Sequence, residues 1–199
     1  WKYRTAFWSN TVEVPKGEWR TFEVPSYVPD DIKSGENTYE FSTTQNYFFI
    51  ESVSGTEDFY IDDVSITYMG VPGQEPEKPE EPEVESLLSN GSFELDPIDT
   101  NWKGMGSAKV ARTEEAAHEG SASLKVSGYS AGWEGGRYEL KSLLAEGKLI
   151  AGKKYTLTAW AKTVSGSGRL SATIKGRKVG DTQDAYIGFG GPVDVNSTE

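Results

Sequence analysis

The stretch Tyr47-Phe48-Phe49-Ile50-Glu51-Ser52 sets one ionisable carboxylate among three aromatic rings. In an extended chain successive side chains alternate, so Tyr47, Phe49 and Glu51 share one face while Phe48 and Ile50 share the other. A carboxylate beside two rings is awkward for a core. The first face is therefore the candidate groove, and Phe48 with Ile50 the candidate core. Aromatic rings offer apolar faces for a ligand to stack on, and a carboxylate accepts hydrogen bonds, so this face has the makings of a binding groove. Trp133, in the glycine-rich run Gly-Trp-Glu-Gly-Gly, is a further ring with room to be exposed. The chain carries 6 Trp, 10 Tyr and 8 Phe, at 12% of residues slightly more than a core alone needs. Trp19 and Trp160 are read as core or sheet-packing residues, and Trp8 as a speculative extra contact.

Reaction chemistry finds less support. Paired carboxylates could serve as a glycosidase couple, but their separation is not written in the sequence. His118, in Ala-Ala-His-Glu-Gly, reads as a surface residue rather than a general base. No G-x-S-x-G, H-E-x-x-H or phosphate-loop pattern occurs. The net charge of -11 is concentrated: six glutamates and one lysine between Val71 and Glu85 account for -5 of it. Nothing builds the basic stripe that nucleic acid requires. There is no cysteine, which leaves the redox compartment open. Neither a signal peptide nor an apolar run long enough for a membrane span is present.

These residues need strands to position them. Segments 18–25, 46–52, 58–68, 121–129, 153–163 and 169–176 are rich in aromatic and β-branched residues with period-two alternation, punctuated by Gly, Pro, Asp and Asn. In Phe59–Tyr68 the alternation sets Tyr60, Asp62, Val64 and Ile66 on one face and Ile61, Asp63, Ser65 and Thr67 on the other. Residues 112–120 are read as a loop or a single turn. The fold class is all-β, an antiparallel sandwich.

Residues 71–85 contain four prolines among the glutamates and form an extended linker of roughly 45 Å reach. Residues 1–70 offer only about four strands, without a second sheet to bury them. Residues 86–199 trail off in a glycine-rich end without a closing strand. Each segment needs a partner.

The motifs Leu87-Leu-Ser-Asn-Gly-Ser-Phe-Glu94, Ala116-Ala-His-Glu-Gly-Ser-Ala-Ser-Leu-Lys-Val126 and Gly152-Lys-Lys-Tyr-Thr-Leu-Thr-Ala-Trp160 together resemble the amino-terminal half of a family 22 carbohydrate-binding module, within the group shared with families 4 and 9. Gly17-Glu-Trp-Arg-Thr-Phe-Glu-Val-Pro25 and Tyr47–Ile66 resemble the carboxy-terminal half of the same kind of module. In the usual order the second set follows the first; here the order is reversed. Residues 1–70 look like the end of one module and residues 86–199 like the beginning of another. The chain, opening at Trp1 without a methionine, is read as a fragment of a longer polypeptide. A slice through a tandem array, an exchange of halves with a second copy, and a circular permutation all fit. The expected architecture is one jelly-roll sandwich completed by the two halves, in cis or between copies.

The resemblance implies non-catalytic binding of plant cell-wall polysaccharide, xylan or mixed-linkage β-glucan, in support of an attached glycoside hydrolase such as a secreted xylanase. It implies a binding cleft at Phe49, Glu51 and Trp133, with a family tyrosine on Tyr3 or Tyr186. The family often has tyrosine where Phe49 stands and arginine where Met105 stands. It further implies a structural calcium held by Glu94, the region of Glu119 to Ser121, and Asp62 or Asp63. The other class of reading is a stabilising spacer or surface-layer module with a degraded sugar site, and the plain reading of Asp62 and Asp63 is a solvated pair at a strand end.

Overall fold

The structure, a computed structural model, describes residues 12–14, 17–27, 32–34, 37–40, 47–54, 56–70, 86–150, 153–165, 168–178, 180, 182 and 184–188. In chain order the elements are β1 (Val12–Val14), β2 (Arg20–Tyr27), β3 (Ile32–Ser34), β4 (Asn37–Glu40), β5 (Tyr47–Ser54), β6 (Phe59–Gly70), β7 (Trp102–Met105) and β8 (Lys109–Thr113). They continue with β9 (Ser123–Ser127), β10 (Gly135–Glu139), α1 (Lys141–Ala145), β11 (Lys154–Thr163), β12 (Gly168–Lys178) and β13 (Asp184–Gly188).

Two antiparallel sheets face each other. One runs β3-β4-β12-β5-β10-β7, with β1 and β13 also paired to β12; the other runs β2-β11-β6-β9-β8. The expected combination of the two segments occurs within a single chain. β5 lies between β12 and β10, and β6 lies between β11 and β9. All four neighbours come from beyond the linker.

The core forms where the sheets meet. Phe48 and Ile50 point into it from β5, Tyr138 and Trp102 from β10 and β7, and Phe59, Ile61, Leu124 and Val126 from the opposite sheet. Phe48 stacks on Tyr138 with ring centroids 5.8 Å apart and meets Trp102 edge-on. Rings in contact add to the transfer of their area from water.

The alternation expected for Phe59–Tyr68 does not survive. Phe59 and Ile61 face the core, but so do Val64 and Ile66, because the pairing of β6 with β11 slips between Thr158 and Trp160. Asp63 takes a left-handed φ of 46° there. One extra residue on β6 makes a bulge, which shifts the parity of every residue after it.

The Asn-Gly-Ser-Phe-Glu motif begins the second segment against β6. The Leu87 N–H donates to Ile66 O (2.8 Å) and the Val64 N–H to Gly91 O (2.9 Å). A Cβ on Gly91 would stand 1.9 Å from Val64 O, so only glycine lets the two backbones approach. The Asn90 side chain closes the turn on both backbone groups of Leu95, and Phe93 enters the core wholly buried.

If the segments fold as one body, urea unfolding is expected to be a single transition with coincident far-UV and tryptophan signals. Phe48→Ala is expected to remove about 3–5 kcal/mol. Two separated transitions, or a Phe48→Ala effect confined to one, would contradict a shared core.

Candidate functional site

The face of the larger sheet that turns away from the core carries Tyr47, Phe49 and Glu51. Across the strands, Glu51 is level with Gly135 on β10 and Ser171 on β12, and Gly135 is level with Met105 on β7. Gly135 contributes no side chain to this row; a Cβ there would lie 1.9 Å from Ile50 O. Two residues before it stands Trp133, 47% exposed. The structure thus sets Trp133, in the turn that leads into β10, and Glu51, on the adjoining β5, on elements from opposite sides of the linker.

Glu51 accepts a hydrogen bond from the Thr173 hydroxyl at 2.7 Å. Burial dominates its environment and pushes its carboxyl up to about 7, against the lowering effect of Thr173. Near neutrality the group therefore exchanges between a carboxylate that only accepts hydrogen bonds and a carboxylic acid that also donates.

Phe49 stands differently from the open stacking surface the sequence suggested. Its ring is 1% exposed and closes a small cluster with Tyr47 and Met105. Arg137 and Lys175 both lie over the Tyr47 ring, at 4.9 and 5.4 Å from its centroid. The cations flank Tyr47, while Tyr47 and Met105 pack against Phe49, so Phe49 lies within the packed layer of this face and is not open to stack. Tyr3 and Trp8 lie outside the described residues. Tyr186 is on β13, its backbone level with Lys175, and its side chain lies outside what is described. Thr173 and Lys175 escaped the sequence reading, although the alternation of β12 sets both opposite Leu170 and Ala172; only the pairing of β12 with β5 gives that face meaning.

The residues of the implied ion site gather around one loop, 114–122. At the bulge Asp62 is wholly buried and accepts from the N–H groups of Asp63 (2.8 Å) and His118 (2.7 Å). Burial, more than its neighbour Asp63, pushes its carboxyl up to about 6. Asp63 meets His118 Nδ1 at 2.7 Å. That imidazole lies flat on Trp160, 3.9 Å between centroids, with Trp19 at its edge. His118 is thus partly buried rather than a surface residue, and the two tryptophans pack on the outer face of the smaller sheet. At the far end of the loop Glu94 accepts from Ser121 N–H, Ser121 Oγ and Ala122 N–H at 2.9, 2.7 and 2.9 Å.

Two carboxylates and a loop of backbone oxygens are the donor types calcium prefers. Among the described residues no three His, Cys, Asp or Glu side chains converge to hold an ion, so carbonyls and water would have to complete such a site. Among the described residues, too, no helix is long and apolar enough to cross a membrane.

Residues 85–199 match the family CBM_4_9, described as a carbohydrate binding domain. The chain is 29% identical over 201 residues to endo-1,4-beta-xylanase A of Thermoanaerobacterium saccharolyticum, an alignment covering 99% of this chain and 15% of that protein. It is 31% identical over 78 residues to endo-1,4-beta-xylanase A of Thermotoga maritima, covering 39% of this chain and 7% of the relative. The chain thus spans a small part of the curated relatives it matches. No solved structure matches it.

Glu51 is protonated more readily in the folded chain than in the unfolded one. Its contribution to stability is fully present below its ordinary value near 4.5 and is lost as pH rises through about 7. Glu51→Gln is expected to abolish that loss, about 2–3 kcal/mol at most. Urea titrations at pH 4.5 and 8 check this; parallel pH profiles for the two proteins would refute it.

Proposed function

Because the chain belongs to the CBM_4_9 carbohydrate binding domain family, we propose that it is a non-catalytic module for plant cell-wall polysaccharide, xylan or mixed-linkage β-glucan. It holds an attached glycoside hydrolase, such as a secreted xylanase, against its substrate. The observation that carries this reading is the exposed ring of Trp133, two residues before Gly135, the residue level with the partly buried acid of Glu51. A pyranose stacks on the Trp133 face while Glu51 and the Thr173 hydroxyl take its hydroxyl groups. Each such stack contributes about 1 kcal/mol beyond its buried area. Modest single-site affinity then rises by avidity when modules act together. The printed names of the xylanase relatives support this substrate class.

A structural calcium on loop 114–122 belongs to the same reading. Glu94 at one end and Asp62 at the other, with Asp63, Glu119 and Ser121 between them, would hold it, and when bound it would neutralise the buried charge of Asp62. Complementary halves also permit exchange between two copies, which light scattering would detect as a compact dimer.

The second reading, a spacer with a degraded sugar site, is favoured by one observation. Phe49 and Met105 are buried on the groove face, at 1% and 6% exposure, where the resemblance led to an open aromatic and an arginine.

Titration with xylohexaose and with barley β-glucan separates the two. Trp133→Ala is expected to weaken binding at least tenfold without shifting the melting temperature. No binding by the unaltered chain to either glycan would leave the spacer. Millimolar calcium is expected to raise Tm by several degrees over chelator, an effect that Asp62→Asn removes; superimposable melting curves would dismiss the ion.

A further inference from the structure

Trp133 sits in an irregular turn, and the side chain that follows it in sequence controls that turn. Glu134 is 5% exposed, although it adjoins a ring that faces solvent. Its Oε2 accepts from Ser130 N–H at 2.7 Å, Ala131 N–H at 3.3 Å and Ser107 Oγ at 2.6 Å, and its Oε1 accepts from Ser107 N–H at 2.9 Å. The Glu134 N–H itself donates to Ala131 O at 3.0 Å. One residue therefore closes the turn around Trp133 twice, once by backbone and once by side chain. The same carboxylate reaches across to the turn after β7. There Gly106 has a φ of 68°, and a Cβ on it would stand 2.3 Å from Glu134 Oε1.

We infer that Glu134 is a positioning residue for sugar binding: its carboxylate locks the Ser130–Trp133 turn to the Gly106–Ser107 turn and thereby fixes the indole of Trp133 over the groove. This rests on the reading of Trp133 as the stacking ring. The donors hold the Glu134 carboxyl down to about 2, chiefly through Ser107 and then Ser130, so the lock stays ionised across neutral pH. A free turn would let the indole sample many orientations, and each sugar bound would have to restore one. A fixed ring has that ordering already done.

The test uses the whole chain with 5-fluorotryptophan at its six tryptophans, the Trp133 resonance being identified by its absence in Trp133→Phe. Without ligand, Glu134→Ala is expected to shift and narrow the Trp133 signal while the other five stay in place. Ser107→Ala, a milder change that keeps the carboxylate, is expected to move the same signal less. Affinity for xylohexaose is expected to fall about five- to tenfold in Glu134→Ala and to be recovered in part by Glu134→Gln. In a Trp133→Ala background, Glu134→Ala is expected to add nothing. An unmoved Trp133 resonance in both Glu134→Ala and Ser107→Ala would overturn the inference. So would an equal affinity loss with and without Trp133. If Trp133→Ala itself leaves affinity unchanged, the stacking reading fails instead, and the fluorine spectra alone then decide whether Glu134 fixes the ring.

Discussion

An interior strand must find hydrogen-bond partners along both edges and cover for both faces, and here that requirement falls on β5 and β6. Their edges are met by β10, β12, β9 and β11, all from the far side of the acidic linker. Phe48 from one segment is sealed by Tyr138 and Trp102 from the other. Neither segment can therefore be folded in this form while the other is absent. The candidate sites inherit the same dependence. Glu51 belongs to the first segment, while Thr173 and Trp133 belong to the second; Asp62 belongs to the first, while Glu94 and His118 belong to the second. Both candidate sites exist only after the two segments have paired.

How much of this was readable along the chain depended on regularity. The Tyr47–Ser52 stretch was legible because β5 is an uninterrupted interior strand, where alternation maps directly onto faces. Phe59–Tyr68 was misread because a bulge depends on the partner strand as well as on the strand itself. Two adjacent aspartates hint at irregularity, but the slip appears only when β11 is laid beside β6. The helix α1 left little trace: it has five residues, no side-chain cap, and an apolar residue at its N-terminal boundary. The closure of Phe49 was hidden for a different reason. Its cluster is completed by Met105 of β7, and the cations over the neighbouring Tyr47 ring come from β10 and β12, so a local pattern that separated this face from the core could not tell how deep its rings would lie.

The carboxylates give a further lesson about an acidic chain. Turns at the rim of a sandwich carry backbone N–H groups with no strand to receive them, and an unpaired buried donor costs about 1–3 kcal/mol. Glu134 and Glu94 solve this in the same way. Each faces a glycine of positive φ followed by serine, Gly106-Ser107 in one case and Gly120-Ser121 in the other. In both, the serine N–H and hydroxyl are donated to the carboxylate. The glycine is required twice over, since its backbone is left-handed and a Cβ would stand 2.3 or 2.5 Å from the carboxylate.

That repeated clasp bears on how a shallow sugar site can work. A groove whose inner rings are closed offers few stacking surfaces, so binding of the proposed kind leans on Trp133, the open ring among the described residues of this face, and on how little freedom that ring must lose. Had Trp133 stood on a loop held only by its own backbone, much of its modest stacking energy would be spent on ordering the loop. Anchoring the turn through a buried carboxylate transfers that ordering to folding, where it is shared with the burial of the whole sandwich. The cost is that the anchor spans two loops, each attached to a strand of the larger sheet, so the ring's orientation follows the register of β7 against β10. In this molecule, the precision of the proposed sugar site is a property of sheet pairing rather than of the loop that displays it.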